Sequence, residues 1–205
     1  MFFNEEFHKR CGRIGFLMDE GLRVKSPSFR LMCDWVATDK QWAGAATKRV
    51  MLKAMAEGKS SLALLPGGFQ EATLCSRGKD RVYVKNRAGF VKYCLMHGYS
   101  IVPCYTFGES DCYKCFSWLL GPRLALAKRN IPAAAMWGAW WCPMLPRSDA
   151  ELITFIGEEI KLPKIAEPSK DEIKKYHGQY IHALQALFDK HKAEAGRPDA
   201  KLEVF

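Results

Sequence analysis

Residues 39–68 read DKQWAGAATKRVMLKAMAEGKSSLALLPGG, and the change of period inside this stretch decides the fold class. Over 39–57 the apolar residues Val50, Met51, Ala54 and Met55 fall on one side of a helix. Thr38 stands at the N-cap, Gln41 at the capping-box position and Gly58 just past the end. Ser61 to Leu65 then runs apolar without alternation and stops at Pro66-Gly67-Gly68, the pattern of a buried strand entering a tight turn. Residues 86–97 (NRAGFVKYCLMH) return to helical spacing through Phe90, Val91, Cys94 and Leu95, with Gly98 as C-cap. Tyr99 to Thr106 reads as a strand whose Pro103 puts it at an edge or an end. Helix, strand, helix, strand is the alternation of βαβ units. The predicted class is therefore α/β, a mixed, mainly parallel sheet flanked by helices.

Working outward, Glu151 to Ile156 is a further strand closed by Gly157, and a long helix runs from Lys170 to about Ala195. Its boundaries are well marked. Ser169 and Glu172 form a capping box, and Ile173, Tyr176, Tyr180, Ile181, Leu184, Leu187 and Phe188 make an apolar stripe. Gly196 and Pro198 stop it. No repeat or linker divides the 205 residues, which suit a single domain, 1–205. Apolar residues at 48% and charged residues at 26% exclude disordered, collagenous and low-complexity classes.

The formal net charge of +9 favours anionic partners: phosphates, lipid headgroups or nucleic acid. Residues 1–10 show no secretory signal pattern, so the eight cysteines are expected to be reduced and mostly buried. No stretch reaches the roughly 18 apolar residues of a spanning helix. The closest, Ile131 to Pro146, is uncharged but holds three prolines and three tryptophans, and it suits a buried loop or a membrane–water interface alike.

Neither the Walker phosphate loop nor the dinucleotide-binding glycine pattern occurs. Gly108-Glu109-Ser110-Asp111-Cys112 lacks the last glycine of a hydrolase elbow and reads as a polar turn. Cys112 and Cys115 have the spacing of half a zinc site. The other half fails, because His177 and His182 lie roughly 140° apart around a helix; no metal is expected.

The informative tract begins at Leu64. Gly67 and Gly68 free the backbone to approach an anion or a thioester, with Glu71 beside the turn. Residues 76–92 set six basic side chains, among them Arg81, Lys85 and Arg87, against one acid, Asp80. Asn86 and Arg87 fall at a helix start, where the first-turn amides and a guanidinium together suit a phosphate. A solvated basic face is the plain alternative. A nucleic-acid platform would need interleaved aromatics, and only Tyr83 and Phe90 qualify, so nucleic acid is not expected.

Six blocks occur in order: Pro66-Gly67-Gly68-x-x-Glu71-Ala72, Asn86 to Lys92 (NRAGFVK), His97 to Pro103 (HGYSIVP), Phe107-Gly108-Glu109, Ile156 to Pro163 (IGEEIKLP) and Leu187 to Lys192 (LFDKHK). Together they closely resemble the type 2 diacylglycerol acyltransferase family, which includes the monoacylglycerol and wax-ester acyltransferases. The likeness runs from about Val24 to Phe205 and takes in Lys201-Leu202-Glu203-Val204.

The resemblance implies a glycerolipid-acyltransferase-like fold. It also implies transfer of a fatty acyl group from acyl-CoA, as substrate and with no cofactor, to a glycerolipid or long-chain alcohol hydroxyl at the endoplasmic reticulum membrane or lipid-droplet surface. Gly67, Gly68, Glu71, Asn86, Arg87, Gly89 and Phe90 are carried over as acyl-donor-site or site-shaping candidates. The family's His-Pro-His-Gly, whose histidine is expected to act as base, is matched by none of the five histidines (8, 97, 177, 182, 191), and the family's membrane hairpin has no counterpart.

The catalytic residue therefore stays unassigned. The chain is expected to be the C-terminal portion of a longer acyltransferase, inactive alone. A non-catalytic lipid-binding or regulatory paralogue is the alternative, and a basic RNA- or phosphate-binding domain a weaker one.

Overall fold

The computed structural model describes residues 8, 9, 11–35, 37–115, 118–129, 136–143 and 145–205. The chain divides into two compact units, Met1–Leu65 and Pro66–Phe205.

The first unit is built on β1 (Ile14–Met18), α1 (Glu20–Lys25), α2 (Pro27–Trp35), β2 (Gln41–Ala45), α3 (Lys48–Glu57) and β3 (Ser61–Ala63). The strands form a parallel sheet ordered β2-β1-β3, with Ile14 opposite both Gln41 and Ser61. The central strand, IGFLM, is buried along nearly its whole length and so shows no alternation. Gly15 and Gly44 admit the Trp42 ring, which occupies the space a Cβ at either position would need.

Here the helix expected over 39–57 divides. Thr38 does not cap it: its backbone exchanges hydrogen bonds with Gln41, and 41–45 pair with β1 as a strand. Pairing with an apolar strand outweighs the weak β preference of Gln, Ala and Gly. The helix begins only at Lys48, capped by the Thr47 hydroxyl accepting from Val50 N–H at 3.4 Å, and it ends at Gly58 with φ 63°.

The second unit holds α4 (Gly68–Leu74), β4 (Asp80–Val82), α5 (Gly89–His97), β5 (Cys104–Phe107), a 3₁₀ turn (Glu109–Asp111), β6 (Lys114–Cys115) and α6 (Leu120–Lys128). After these come β7 (Met136–Trp137), β8 (Ile153–Ile156), α7 (Lys170–His191) and β9 (Leu202–Val204). Among the described residues its strands come in pairs: β4 with β9 parallel, β5 with β8 and β6 with β7 antiparallel. The chain is thus α/β with a mixed set of strands.

The long helix α7 carries the expected capping box, Glu172 N–H to Ser169 Oγ at 3.2 Å and Ser169 N–H to Glu172 Oε2 at 2.8 Å. It buries Tyr180, Leu184, Leu187 and Phe188, together with His177, which the apolar stripe had not included. Phe107 stacks on Phe188 with centroids 4.9 Å apart, and Tyr105 meets both edge-on.

The strand expected over 99–106 shortens to 104–107, since Pro103 has no N–H to give a ladder. Its carbonyl accepts from Gly157 N–H instead. The 108–112 turn is 3₁₀, with Gly108 at φ 94° where a Cβ would strike the Glu151 carbonyl.

No helix among the described residues is long and apolar enough to cross a membrane. The uncharged tract 131–146 lies partly outside the described residues. In the part that is described the buried-loop alternative fails: Trp140 and Trp141 are 87% and 66% exposed. Of the eight cysteines, all without a disulfide, only Cys33, Cys94 and Cys112 are buried, fewer than expected.

Candidate functional site

The two blocks singled out in the sequence meet at Tyr83. Gly67 precedes α4 and Gly68 opens it at φ 55°, a conformation a residue with a Cβ adopts only with strain. The Glu71 side chain, one turn on, folds back over Gly67 so closely that a Cβ there would overlap it. Glu71 Oε2 then accepts from Tyr83 N–H at 2.8 Å, tying the first turn of α4 to the residue that follows β4. The Arg87 guanidinium stands 5.6 Å from the centre of the Tyr83 ring. Its buried Nε has no hydrogen-bond acceptor among the described residues.

Behind these groups the backbone is held by the long helix. His177 Nε2 hydrogen-bonds the Val84 carbonyl at 3.0 Å, and Arg87 N–H donates to the same carbonyl. Phe90 packs edge-on against Tyr180 at 5.1 Å and against His177 at 6.3 Å, anchoring the start of α5 to α7. Asn86 and Gly89 are exposed. A Cβ at Gly89 would meet nothing, so space alone does not demand glycine there.

Burial raises the Glu71 carboxyl above its ordinary range, against the Tyr83 N–H that stabilises its charge. Glu109 is raised by burial and by the charge of Glu71, so the two carboxyls sense each other. Burial beside Asp80 pushes the Tyr105 phenol up, and its hydroxyl donates to Asp80 Oδ1 at 2.8 Å. Burial lowers His177, against the Val84 hydrogen bond that raises it.

The basic tract is not uniformly free. Arg81 pairs with Glu203 at 2.7 Å, across the register that sets these residues opposite each other in β4 and β9. This pairing is also the structural work of the block Lys201-Leu202-Glu203-Val204. Of the other named histidines, His97 closes α5 before Gly98, His182 is exposed, and His191 bonds Glu194 at 2.8 Å while stacking on Phe155. Among the described residues no three His, Cys, Asp or Glu side chains converge as a metal site.

Glu71 and Arg87 are legible in the sequence as candidates; Tyr83 as their meeting point and His177 as the clamp behind it are not. The helical phase gave one signal, since His177 falls between Ile173 and Tyr180 on the same stripe.

The arrangement defines an α/β protein in which an arginine just before a helix start lies over a tyrosine ring, and that tyrosine's backbone N–H binds a partly buried carboxyl. A profile of the diacylglycerol acyltransferase family matches residues 42–205, and the chain belongs to that family. It is 34% identical over 150 residues to diacylglycerol O-acyltransferase 2-like protein 6 of Mus musculus, covering 67% of this chain and 44% of that protein. Against diacylglycerol O-acyltransferase 2 of Homo sapiens it is 34% identical over 162 residues, 71% of this chain and 40% of the relative. Against the Xenopus tropicalis protein of the same name it is 30% identical over 167 residues, with 70% and 42% covered. The chain thus spans well under half the length of these relatives. No solved structure matches it.

Proposed function

We propose that this chain supplies the acyl-donor side of an acyl-CoA-dependent O-acyltransferase, one that moves a fatty acyl group to the hydroxyl of a glycerolipid of the diacylglycerol type. In the reaction the hydroxyl oxygen attacks the thioester carbonyl, the C–S bond breaks and CoA leaves as the thiol. Acyl-CoA is a substrate, and the chemistry needs no resident metal or cofactor. A hydroxyl titrates far above neutrality and needs a base within hydrogen-bond reach. The family's histidine motif is not among these residues, so none of the site residues is given that role and the chain by itself is expected to turn over little or no acyl-CoA.

The observation that carries the reading is Arg87. It sits just before α5, its buried Nε unsatisfied among the described residues and its guanidinium over the ring of Tyr83, the residue whose N–H Glu71 accepts. A CoA phosphate answers that donor and the charge of the surrounding tract. Gly67, Gly68, Asn86, Gly89 and Phe90 shape the site around it. The exposed Trp137, Trp140 and Trp141 support contact with a membrane surface, where tryptophan is at home between headgroup and acyl chain. They fit a location on the endoplasmic reticulum membrane or a lipid droplet.

Calorimetric titration of the chain with CoA and with palmitoyl-CoA tests the donor role. Saturable binding that weakens with salt is expected, and Arg87→Ala should lower affinity roughly tenfold, the value of a charge-assisted hydrogen bond. Binding indifferent to Arg87→Ala removes the assignment. Turnover of palmitoyl-CoA and diacylglycerol by the chain alone removes the expectation of inactivity.

A further inference from the structure

Cys75 and Cys115 lie forty residues apart in the sequence, yet their sulfurs are 2.7 Å apart. That is closer than two sulfurs rest when merely packed, and longer than the roughly 2.05 Å of an S–S bond. Cys75 is the C-cap of α4, the helix that carries Glu71, and Cys115 is the last residue of β6. Each is partly accessible to solvent, whereas Cys112, the nearer cysteine in sequence, is buried with its thiol directed at the Gly108 carbonyl.

We propose that Cys75 and Cys115 are a reversible dithiol–disulfide pair, oxidised by thiol–disulfide exchange with a small disulfide of the glutathione type.

The two thiols are chemically unequal. The hydrogen bond from Cys75 lowers Cys115, and Arg123 on α6 adds to the effect. The same hydrogen bond, burial and the nearby Cys115, Glu109 and Cys112 hold the proton on Cys75. Arg123, on α6, carries the positive charge that favours a thiolate at Cys115, and Cys115 is assigned as the attacking sulfur on that ground. Its thiolate attacks one sulfur of glutathione disulfide, the S–S bond breaks, and one glutathione leaves as thiolate and takes up a proton. Cys75 then loses its proton to solvent and attacks Cys115 Sγ, expelling the second glutathione. Two protein thiols are oxidised and one disulfide is reduced to two thiols, so electrons and atoms balance. The product ties the end of α4 to the β6–β7 strand pair, joining the helix that carries Glu71 to the strands that carry Trp137. Nothing in this depends on the acyltransferase reading.

The test equilibrates the purified full chain in glutathione buffers of graded ratio, alkylates the remaining thiols and maps the peptides by mass spectrometry. The expected result is a loss of two hydrogen masses per chain and a peptide containing Cys75 joined to one containing Cys115, reversed by reduced glutathione. Alkylation of both cysteines at every ratio, or a bond between Cys112 and Cys115 in their place, overturns the proposal. Cys75→Ser should trap glutathione on Cys115, and its absence there, in protein whose circular dichroism matches the parent, removes Cys115 as the attacking sulfur. Should Cys75→Ser fail to fold, the map of the unaltered chain still decides.

Discussion

The Met1–Leu65 unit and the Pro66–Phe205 unit organise their strands differently. In the first, one apolar strand, β1, pairs on both sides and the sheet forms around it. In the second the strands come in twos, and side chains hold them: Tyr105 to Asp80, Arg81 to Glu203, Glu71 to the backbone at Tyr83, with the aromatic face of α7 as the common support. A sheet centred on one strand tolerates little change in backbone spacing, whereas a unit held by side-chain links concentrates its sensitivity at the anchors. All six sequence blocks that mark the family lie in the second unit.

Four substitutions sharpen or break that contrast. Phe188→Ala should cost the most, about 3–5 kcal/mol by urea unfolding, because a fully buried ring stacked on Phe107 leaves a cavity. A loss below about 1 kcal/mol would remove α7 as the main support of the second unit. Gly15→Ala should cost about 1–3 kcal/mol by crowding the Trp42 ring. Pairing it with Trp42→Leu should recover part of the loss, and if it does not, the ring is not what reserves that space. Ser169→Ala removes half a capping box and should cost about 1 kcal/mol.

The smallest effect is in the pH dependence. Folding raises the Glu71 carboxyl above its ordinary 4.5, so between 4.5 and the raised value the folded chain holds a proton that the unfolded chain has released. Stability contributed by this group is present below pH 4.5 and declines as pH rises through the folded value. Glu71→Gln still accepts from Tyr83 N–H and should flatten that decline, read from midpoints of urea unfolding across the window. An unchanged slope would assign the pH dependence to other groups.

Much of this architecture is written locally. The capping box and stripe of α7, the glycine that ends α5 and a strand opening at Ser61 all follow from residues within a turn or two of one another, though that strand stops at Ala63 and is not buried, and Leu65 is 77% exposed. What escaped was decided at a distance. IGFLM carries no alternation because it is buried on both faces, so β1 has no periodic signature, and without β1 nothing marks 41–45 as a strand. Pro66-Gly67 is the turn expected, but the helix that Gly68 opens has no side-chain cap to announce it. Glu71 and Arg87 were visible as candidates by their types. That Tyr83 joins them, and that Cys75 meets Cys115, depends on how β4, β6 and α4 are stacked, which no spacing in the chain records.

The pairing of Arg81 with Glu203 spans 122 residues. At 5–20 residues per second, a ribosome needs roughly ten seconds to make the strand that β4 pairs with. During that interval the β4 edge that β9 later covers is open. Until residues 202–204 are made, β4 is therefore an unpaired edge open to mispairing.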